Sequence, residues 1–462
     1  EDPRNQSLWM HVQRLADEAP DVPPLTSAID FLAASRHNDR GRVDRHWQTT
    51  RGTLAALALH VCAEPESPQG DRFVNWLWAF LNEPTWAVSA HLPGQGLPDL
   101  REPVLDLASC EMAAFFAELL QVMRPWLGAV WSTLPNSIAH EVDRRVLRPF
   151  GDGTHVWWQD GNRHNNWAGV CAGSILAACE SFAAMGQPRP AARARAISGL
   201  QQFFDHAFTE HGECDEGVMY WNYGVGFATL GLSRLTHDEL IRTFNMDRIR
   251  AVVDYPRRAH LTRDLFFSGN DGSMRATAPD GFVPWLAELT QSSFLAWWHH
   301  YHPMRQIWAS RHFSILLRTL AAPDVSTLLR RTDATLGSPI ILPDQQVIMI
   351  PLLTGSGDMM FTLTGGHNSE RHNNNDLGHF TVLVGERILI PDLGAPHYNT
   401  DFFGPNRYTY LTASSRGHCC PVINGCEQRE GAQAQAQVVQ ASDEIGKPVL
   451  ELDLTAAYPP EA

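Results

Sequence analysis

The sequence predicts a helical domain followed by an antiparallel β domain, and three observations predict it. Apolar residues recur at helical spacing almost throughout from Thr26 to about Leu336. After Thr335-Leu336-Gly337-Ser338-Pro339 the texture changes to short apolar segments separated by turn residues. The chain of 462 residues is also too long for one ordinary core. Helices first and strands second point to two separate domains, 1–335 and 336–462, with the boundary near 332–338.

The helical runs are Leu54 to Cys62, Phe73 to Leu81, Met112 to Met123, Ala168 to Ala184, Ala191 to Phe208, Leu240 to Val253, Phe282 to Tyr301 and Ile307 to Leu320. Pro- and Gly-rich connectors such as Gly186-Gln187-Pro188-Arg189-Pro190 separate them. Many helices of ordinary length on short loops imply stacked antiparallel hairpins in a bundle, a solenoid or a closed ring. The lack of a fixed-period repeat counts against the standard solenoids.

The expected strands are Ile340 to Leu342, Val347 to Leu353, Met359 to Leu363, His379 to Val384, Ile388 to Ile390, Tyr408 to Leu411, Ala434 to Val439 and Val449 to Leu454, forming an antiparallel sheet or sandwich. His379-Phe380-Thr381-Val382-Leu383-Val384 alternates poorly and reads as buried on both faces; Gly385-Glu386-Arg387 turns it into a hairpin that ends at Pro391-Asp392. The segment from Leu452 to Pro460 stops mid-pattern, which implies a sheet continued by residues outside this sequence.

Apolar content of 44% with 19% charged residues is that of a soluble globular protein, and no apolar run reaches the roughly 18 residues of a membrane span. A net charge of −15 argues against nucleic acid as the main ligand. It leaves room for an anionic sugar polymer, because a cleft can be basic inside an acidic shell. The eight cysteines lack zinc-ribbon spacing and read as buried free thiols. Glu1-Asp2-Pro3-Arg4 has neither the basic start nor the apolar core of a signal peptide.

Four polar stretches exceed what a core requires. Arg371-His372-Asn373-Asn374-Asn375-Asp376 sits just before a strand and, with Asp392, gathers imidazole, amide and carboxylate groups suited to proton abstraction or a metal. Glu83 to His91 is a loop carrying Trp86 and His91. Trp157 to Trp167 flanks a polar cluster with tryptophans and opens a helix at Ala168, which suits either sugar stacking or a capped helix with packed rings. The run Gly212 to Phe227 holds Asp215, Glu216, Tyr220 and Tyr223, the two tyrosines on one helical face. A buried tyrosine usually hydrogen-bonds a neighbour; one that shuttles protons needs a second group opposite it, which the His372 stretch supplies if the domains face each other.

Asn165-Asn166-Trp167, Asp215-Glu216-Gly217-Val218-Met219-Tyr220-Trp221, the stretch His372 to Phe380, Ile390-Pro391-Asp392-Leu393-Gly394, and Ser414-Ser415-Arg416-Gly417-His418 with Ile423-Asn424-Gly425 together resemble the heparinase II/III-like polysaccharide lyases. The resemblance covers the chain from about Glu83 onward. It implies an incomplete α/α toroid followed by an antiparallel β-sandwich, a secreted or periplasmic location, and β-elimination on a polymer containing uronic acid. By position Tyr220 matches the family's catalytic tyrosine, with Tyr223 as the fallback. His372 matches the histidine that acts as base or carboxylate neighbour. Asn166 falls to neutralising the substrate carboxylate, with Asn165 and His91 assisting and Trp86, Trp167 and Glu216 beside the substrate.

The resemblance implies no cofactor for the chemistry but a structural zinc, or another divalent metal, in the β domain. The matching positions are Asn374, Asp392 and His418. Asn374 stands where the family pattern has a histidine, and an amide oxygen is a poorer zinc ligand than imidazole. Three other functions fit the same residues: a uronyl C5-epimerase, a glycoside hydrolase using Asp215 or Glu216, and a non-catalytic glycan-binding protein.

Overall fold

Apolar periodicity becomes helix wherever a cap and a clear connector bound it. The helix Leu107–Val130 begins at Asp106, whose carboxylate accepts from Ser109 N while the Ser109 hydroxyl accepts from Asp106 N. The helix Asn166–Ala184 begins at Asn165, whose side chain accepts from Trp167 N at 3.0 Å. The computed structural model describes residues 5–160, 165–279, 281–302, 312–329, 339–354, 357–396, 398–399, 401–442 and 449–462. The boundary expected near 332–338 lies outside them.

Two expected runs are broken. Leu240 to Val253 is two helices, His237–Thr243 and Met246–Val253, because Asn245 caps the second by accepting from Asp247 N and Arg248 N. Phe282 to Tyr301 is likewise Val283–Thr290 and Ser293–Tyr301, parted at Gln291, which takes a left-handed φ of 57°. Of Ile307 to Leu320, the described part is the helix Phe313–Leu320. A helix ahead of Thr26, Gln6–Glu18, and a two-stranded hairpin, β1 (His260–Thr262) with β2 (Leu265–Phe266), add to the expected set.

Among the described residues the C-terminal part holds two antiparallel sheets. One orders β3 (Ile340–Leu342), β4 (Val347–Thr354), β5 (Gly357–Thr364), β7 (Phe380–Val384) and β8 (Arg387–Ile390) as β3-β4-β5-β7-β8. The other orders β6 (Gly366–Asn368), β9 (Gly431–Ser442) and β10 (Val449–Asp453) as β10-β9-β6. β7 is buried on one face only, with Thr381 and Leu383 inward, because one face of the sheet meets the helices. Tyr408 to Leu411 is not a strand: Arg407–Thr409 is a short 3₁₀ turn, pulled out of the sheet by the bonds of Arg407 described below.

The helix Asn166–Ala184 is long and apolar enough to cross a membrane by length and composition, yet 78% of its apolar window is buried inside the fold. It packs between the helices Leu107–Val130, Pro190–His206 and Gly217–Leu232. Glycine lets it approach the last so closely: a Cβ at Gly173 would lie 2.0 Å from Phe227 O, and one at Gly224 would lie 3.0 Å from Asn166 Cα. The contact sets the start of one helix, at Asn166, beside the Tyr220 turn of the other. The same core runs on into the sheet through Leu342, Val347, Met349 and Leu383. All eight cysteines are free, with Cys110, Cys171, Cys179 and Cys214 buried.

Gly173→Ala is therefore expected to destabilise the protein by about 1–3 kcal/mol or more, read as a lower urea midpoint. An unchanged midpoint would mean that the two helices are not held at this distance.

Candidate functional site at the junction of helices and sheet

Polar bonds sew the helical part to the strand-rich part along one seam. Arg371 reaches Asp215 at 3.0 Å, Gln345 N donates to Glu213 Oε2 at 3.0 Å, and His211 meets Asp344 at 2.9 Å. Asn270 donates to Glu370 Oε2 at 2.9 Å and accepts from Asn374 N at 3.2 Å. The cleft above this seam is lined by Asn165, Glu216, Arg371, His372, Arg407 and Tyr408, among others.

His372, one of these lining residues, stacks on the Tyr220 ring 4.5 Å away. Tyr220 comes from the helix Gly217–Leu232, and His372 from the polar loop before β7. His372 holds a left-handed φ of 55°, a conformation that costs energy in a residue with a Cβ. Its surroundings fix it there: Arg407 Nη2 donates to His372 O at 2.7 Å, and Asp271 Oδ2 lies 2.9 Å from His372 Nδ1. A proton on Nδ1 donates to that carboxylate, which leaves the Nε2 lone pair free of it. Glu216 Oε1 lies 3.6 Å from Nε2.

Tyr398 joins the pair from the β side. Its hydroxyl is 2.7 Å from that of Tyr220 and donates to Asp271 Oδ2 at 3.1 Å, so Tyr220 is the donor between the two phenols. Burial pushes both phenols above their ordinary range, which keeps them protonated. Asp271 is fully buried and also accepts from Arg407 at 3.0 Å on each oxygen. Glu216, accepting from Asn166 N at 3.2 Å, is pushed up by burial to about 7, against the pull of His372. Burial likewise lifts Glu370 to about 8.

The remaining expected residues divide. Asn166 and Asn165 stand at the helix start beside Glu216. Trp167, between Trp157 at 4.9 Å and His91 at 4.5 Å, forms an aromatic strip, with His91 anchored on Asp106 at 2.8 Å. Residues 161–164 of that stretch lie outside the described residues. Trp86 does not reach the cleft: it is 1% exposed, donates to Phe80 O, and packs on Phe116 because the loop turns its ring into the helical core. Tyr223, one helical turn beyond Tyr220, points instead to Glu111, which it bonds at 2.5 Å inside the helical part and which also pairs with Arg51.

Asp392 and His418 come together, and His379 joins them: one ligand atom from each lies within 4.8 Å of the others. Asn374 is fully buried with no hydrogen-bond partner for its side chain. Sequence reasoning passed over Asp271, Tyr398, Arg407 and His379. Asp271 had a signal, the turn Gly269-Asn270-Asp271-Gly272 just after the apolar run Leu265-Phe266-Phe267; the others are single residues in unremarkable company.

No protein-family model and no curated protein matches the sequence. Solved structures do match. A crystal structure of heparinase III aligns with a TM-score of 0.58 at 11% identity, over 96% of this chain and 71% of that one. The heparan sulfate lyase HepC from Pedobacter heparinus aligns with a TM-score of 0.54 at 15% identity, over 96% of this chain and 64% of that one. The chain thus spans about two thirds of the length of the structures it matches.

Glu216 binds its proton more tightly in the fold than a free carboxyl at 4.5, so its contribution to stability is full below that value and is lost as pH rises through about 7. Glu216→Gln cannot ionise, and its stability is expected to fall less than the wild type's between about pH 5 and about pH 8 in urea titrations. Parallel pH profiles would place Glu216 in a wetter site than described. With helices first, antiparallel sheets second and near-complete alignment to these lyase structures, the chain carries a heparinase-like fold.

Proposed function

We propose that the protein is a polysaccharide lyase, cleaving a uronic-acid-containing polysaccharide or oligosaccharide by β-elimination between an incomplete α/α toroid and an antiparallel β-sandwich. The observation that carries this reading is the stacked pair of Tyr220 and His372, a phenol from the helices and an imidazole from the β side over one cleft. The heparinase-like fold supports an anionic polysaccharide as substrate, and a secreted or periplasmic location suits such a polymer.

The difficulty of the reaction is that the C5–H to be removed sits beside a carboxylate, whose charge opposes carbanion formation. Donors that meet this carboxylate stabilise the enolate-like transition state, each worth roughly 3–4 kcal/mol. In this reading Asn166 and Asn165, at the helix start beside Glu216, supply such donors, and Glu216, half protonated near neutrality, adds a proton rather than a charge. His372, its Nδ1 proton turned to Asp271, offers Nε2 to take the C5 proton. As the C4=C5 bond forms, the C4–O bond breaks and the leaving oxygen takes the Tyr220 proton.

The two transfers leave His372 with an extra proton and Tyr220 one short. Once product has left, Nε2 gives its proton to water in the open cleft and the Tyr220 oxygen takes one back, held meanwhile by the Tyr398 hydroxyl at 2.7 Å. The strip of His91, Trp167 and Trp157 offers faces on which neighbouring sugar rings stack.

The test is incubation with a panel of uronate polymers under ultraviolet light. Rising absorbance from the unsaturated product is expected; new reducing ends without it would make the protein a hydrolase, and solvent deuterium at C5 without cleavage would make it an epimerase. Tyr220→Phe is expected to lower turnover by about 10²–10⁴-fold while leaving substrate binding nearly unchanged. A near-normal rate would remove Tyr220 from the mechanism.

A further inference from the structure

The helical part and the β side touch at a second place, apart from the polar seam. The helix Ala28–His37 turns into the helix Gly41–Ala63 through Asn38, whose left-handed φ of 56° lets its N–H close on Ala33 O. Arg40 stands at that turn, and its guanidinium lies over the ring of Phe403, 5.3 Å from the centroid. Phe403 comes from the β side and lines the cleft. Its ring is 4.9 Å from that of Tyr398 and 6.2 Å from that of His372, so the contact lies one ring away from the imidazole assigned to the C5 proton.

Both halves of this contact are held in place. On the helical side Val43, in the first turn after Arg40, packs with Phe31 against Ala87 and Leu92 in the loop that carries His91. On the β side Phe402 is fully buried with Arg407 over its ring at 4.3 Å, which fixes the backbone from which Phe403 projects. The helical half also adjoins the aromatic strip. Asp44 is 3.8 Å from Arg40 Nε, and burial pushes its carboxyl up against the pull of Arg40 and of His91. The strip of Trp157, Trp167 and His91 thus runs toward Asp44 and Arg40, and a row of sugar rings laid along it meets the Arg40–Phe403 contact.

We propose that the protein acts at the ends of sugar chains, because Arg40 and Phe403 wall off one end of the cleft. The inference rests on the lyase reading above, and it names the substrate class as oligosaccharides and chain termini. A groove open at both ends takes a polymer anywhere along its length. With one end closed, only a free terminus reaches Tyr220 and His372, and each break of a C4–O bond frees a short piece instead of dividing the polymer. Arg40 and Phe403 need not touch the reacting atoms for this. They decide which part of the substrate enters.

Heparan sulfate and alginate, each as polymer and as end-labelled oligosaccharide, serve as probes. The wild-type protein is expected to give short unsaturated product from the outset, to release label from one end only, and to lower viscosity slowly for each bond cut. Arg40→Ala combined with Phe403→Ala is expected to open the closed end and raise the share of long fragments several-fold. Internal fragments from the wild-type protein overturn the inference and leave the lyase reading standing, and so does a folded double variant whose products have wild-type lengths. Binding supplies a readout without turnover: Tyr220→Phe protein is expected to bind a free-ended oligosaccharide several-fold more tightly than the same one coupled to a carrier protein at both ends. Equal binding of the two overturns the inference whether or not elimination occurs. Preference for free ends without unsaturated product sinks the lyase reading and keeps the closed cleft. Absence of binding to either sugar overturns both.

Discussion

The Asp271 carboxylate is the interaction on which the site depends. It is fully buried, and it rises from a turn in which Asn270 adopts a left-handed φ of 59°. Three groups from the β side converge on it: the His372 imidazole, the Tyr398 hydroxyl and the Arg407 guanidinium. A buried carboxylate left alone would be costly, and removing one partner from such a set costs about 3–5 kcal/mol. The helical part therefore dictates where three β-side chains must sit. It orients the imidazole, holds its strained backbone through Arg407, and presents the second phenol to Tyr220.

Tyr220 in turn is placed by packing rather than by hydrogen bonds. The glycines of the helices Asn166–Ala184 and Gly217–Leu232 allow near-backbone contact, so Asn166 and the Tyr220 turn arrive as one rigid unit. Interiors at this density move little, and the cleft inherits that stiffness from the core beneath it. One side of the site is thus a packed helix pair and the other a polar loop fixed at Asp271.

How much of this was legible in the sequence follows from the range of each constraint. Helices with strong periodicity and strands with turn signals were readable because their causes are local, as in Asn166–Ala184 or the β7–β8 hairpin. Tyr220, His372 and Asn166 stood out as candidates because each sits in a run whose polar residues are out of keeping with a buried neighbourhood. Asp271 meets His372, and Tyr398 meets Tyr220 and Asp271, about a hundred residues or more away in the chain, a distance no local pattern spans. Trp86 shows the opposite error: a tryptophan in a polar loop looks like a sugar platform, yet loop geometry turned its ring inward. Tyr223 shares a helical face with Tyr220, but one turn along that helix leads from the cleft into the interior, where Glu111 is waiting.

Two carboxylates meet the same imidazole in contrasting surroundings, and the contrast divides their roles. Asp271 is hydrogen-bonded to a guanidinium, an imidazole N–H and a phenol. Glu216 has one backbone N–H from Asn166, and burial pushes it to about 7. The many-partnered Asp271 serves as the anchor, while a carboxyl held near 7 can exchange a proton at neutral pH. Under the proposed function, an anionic sugar entering the cleft would add a third carboxylate and favour the protonated form of Glu216 further by like-charge repulsion. Among the described residues that line the cleft, Arg371 and Arg407 are both engaged with aspartates, so in the proposed reaction the groups that would meet a substrate carboxylate are amides and a shared proton. Under the proposed elimination, such a site would hold a uronate while its charge is dispersed only as the C5 proton departs, which is where stabilisation accelerates a reaction.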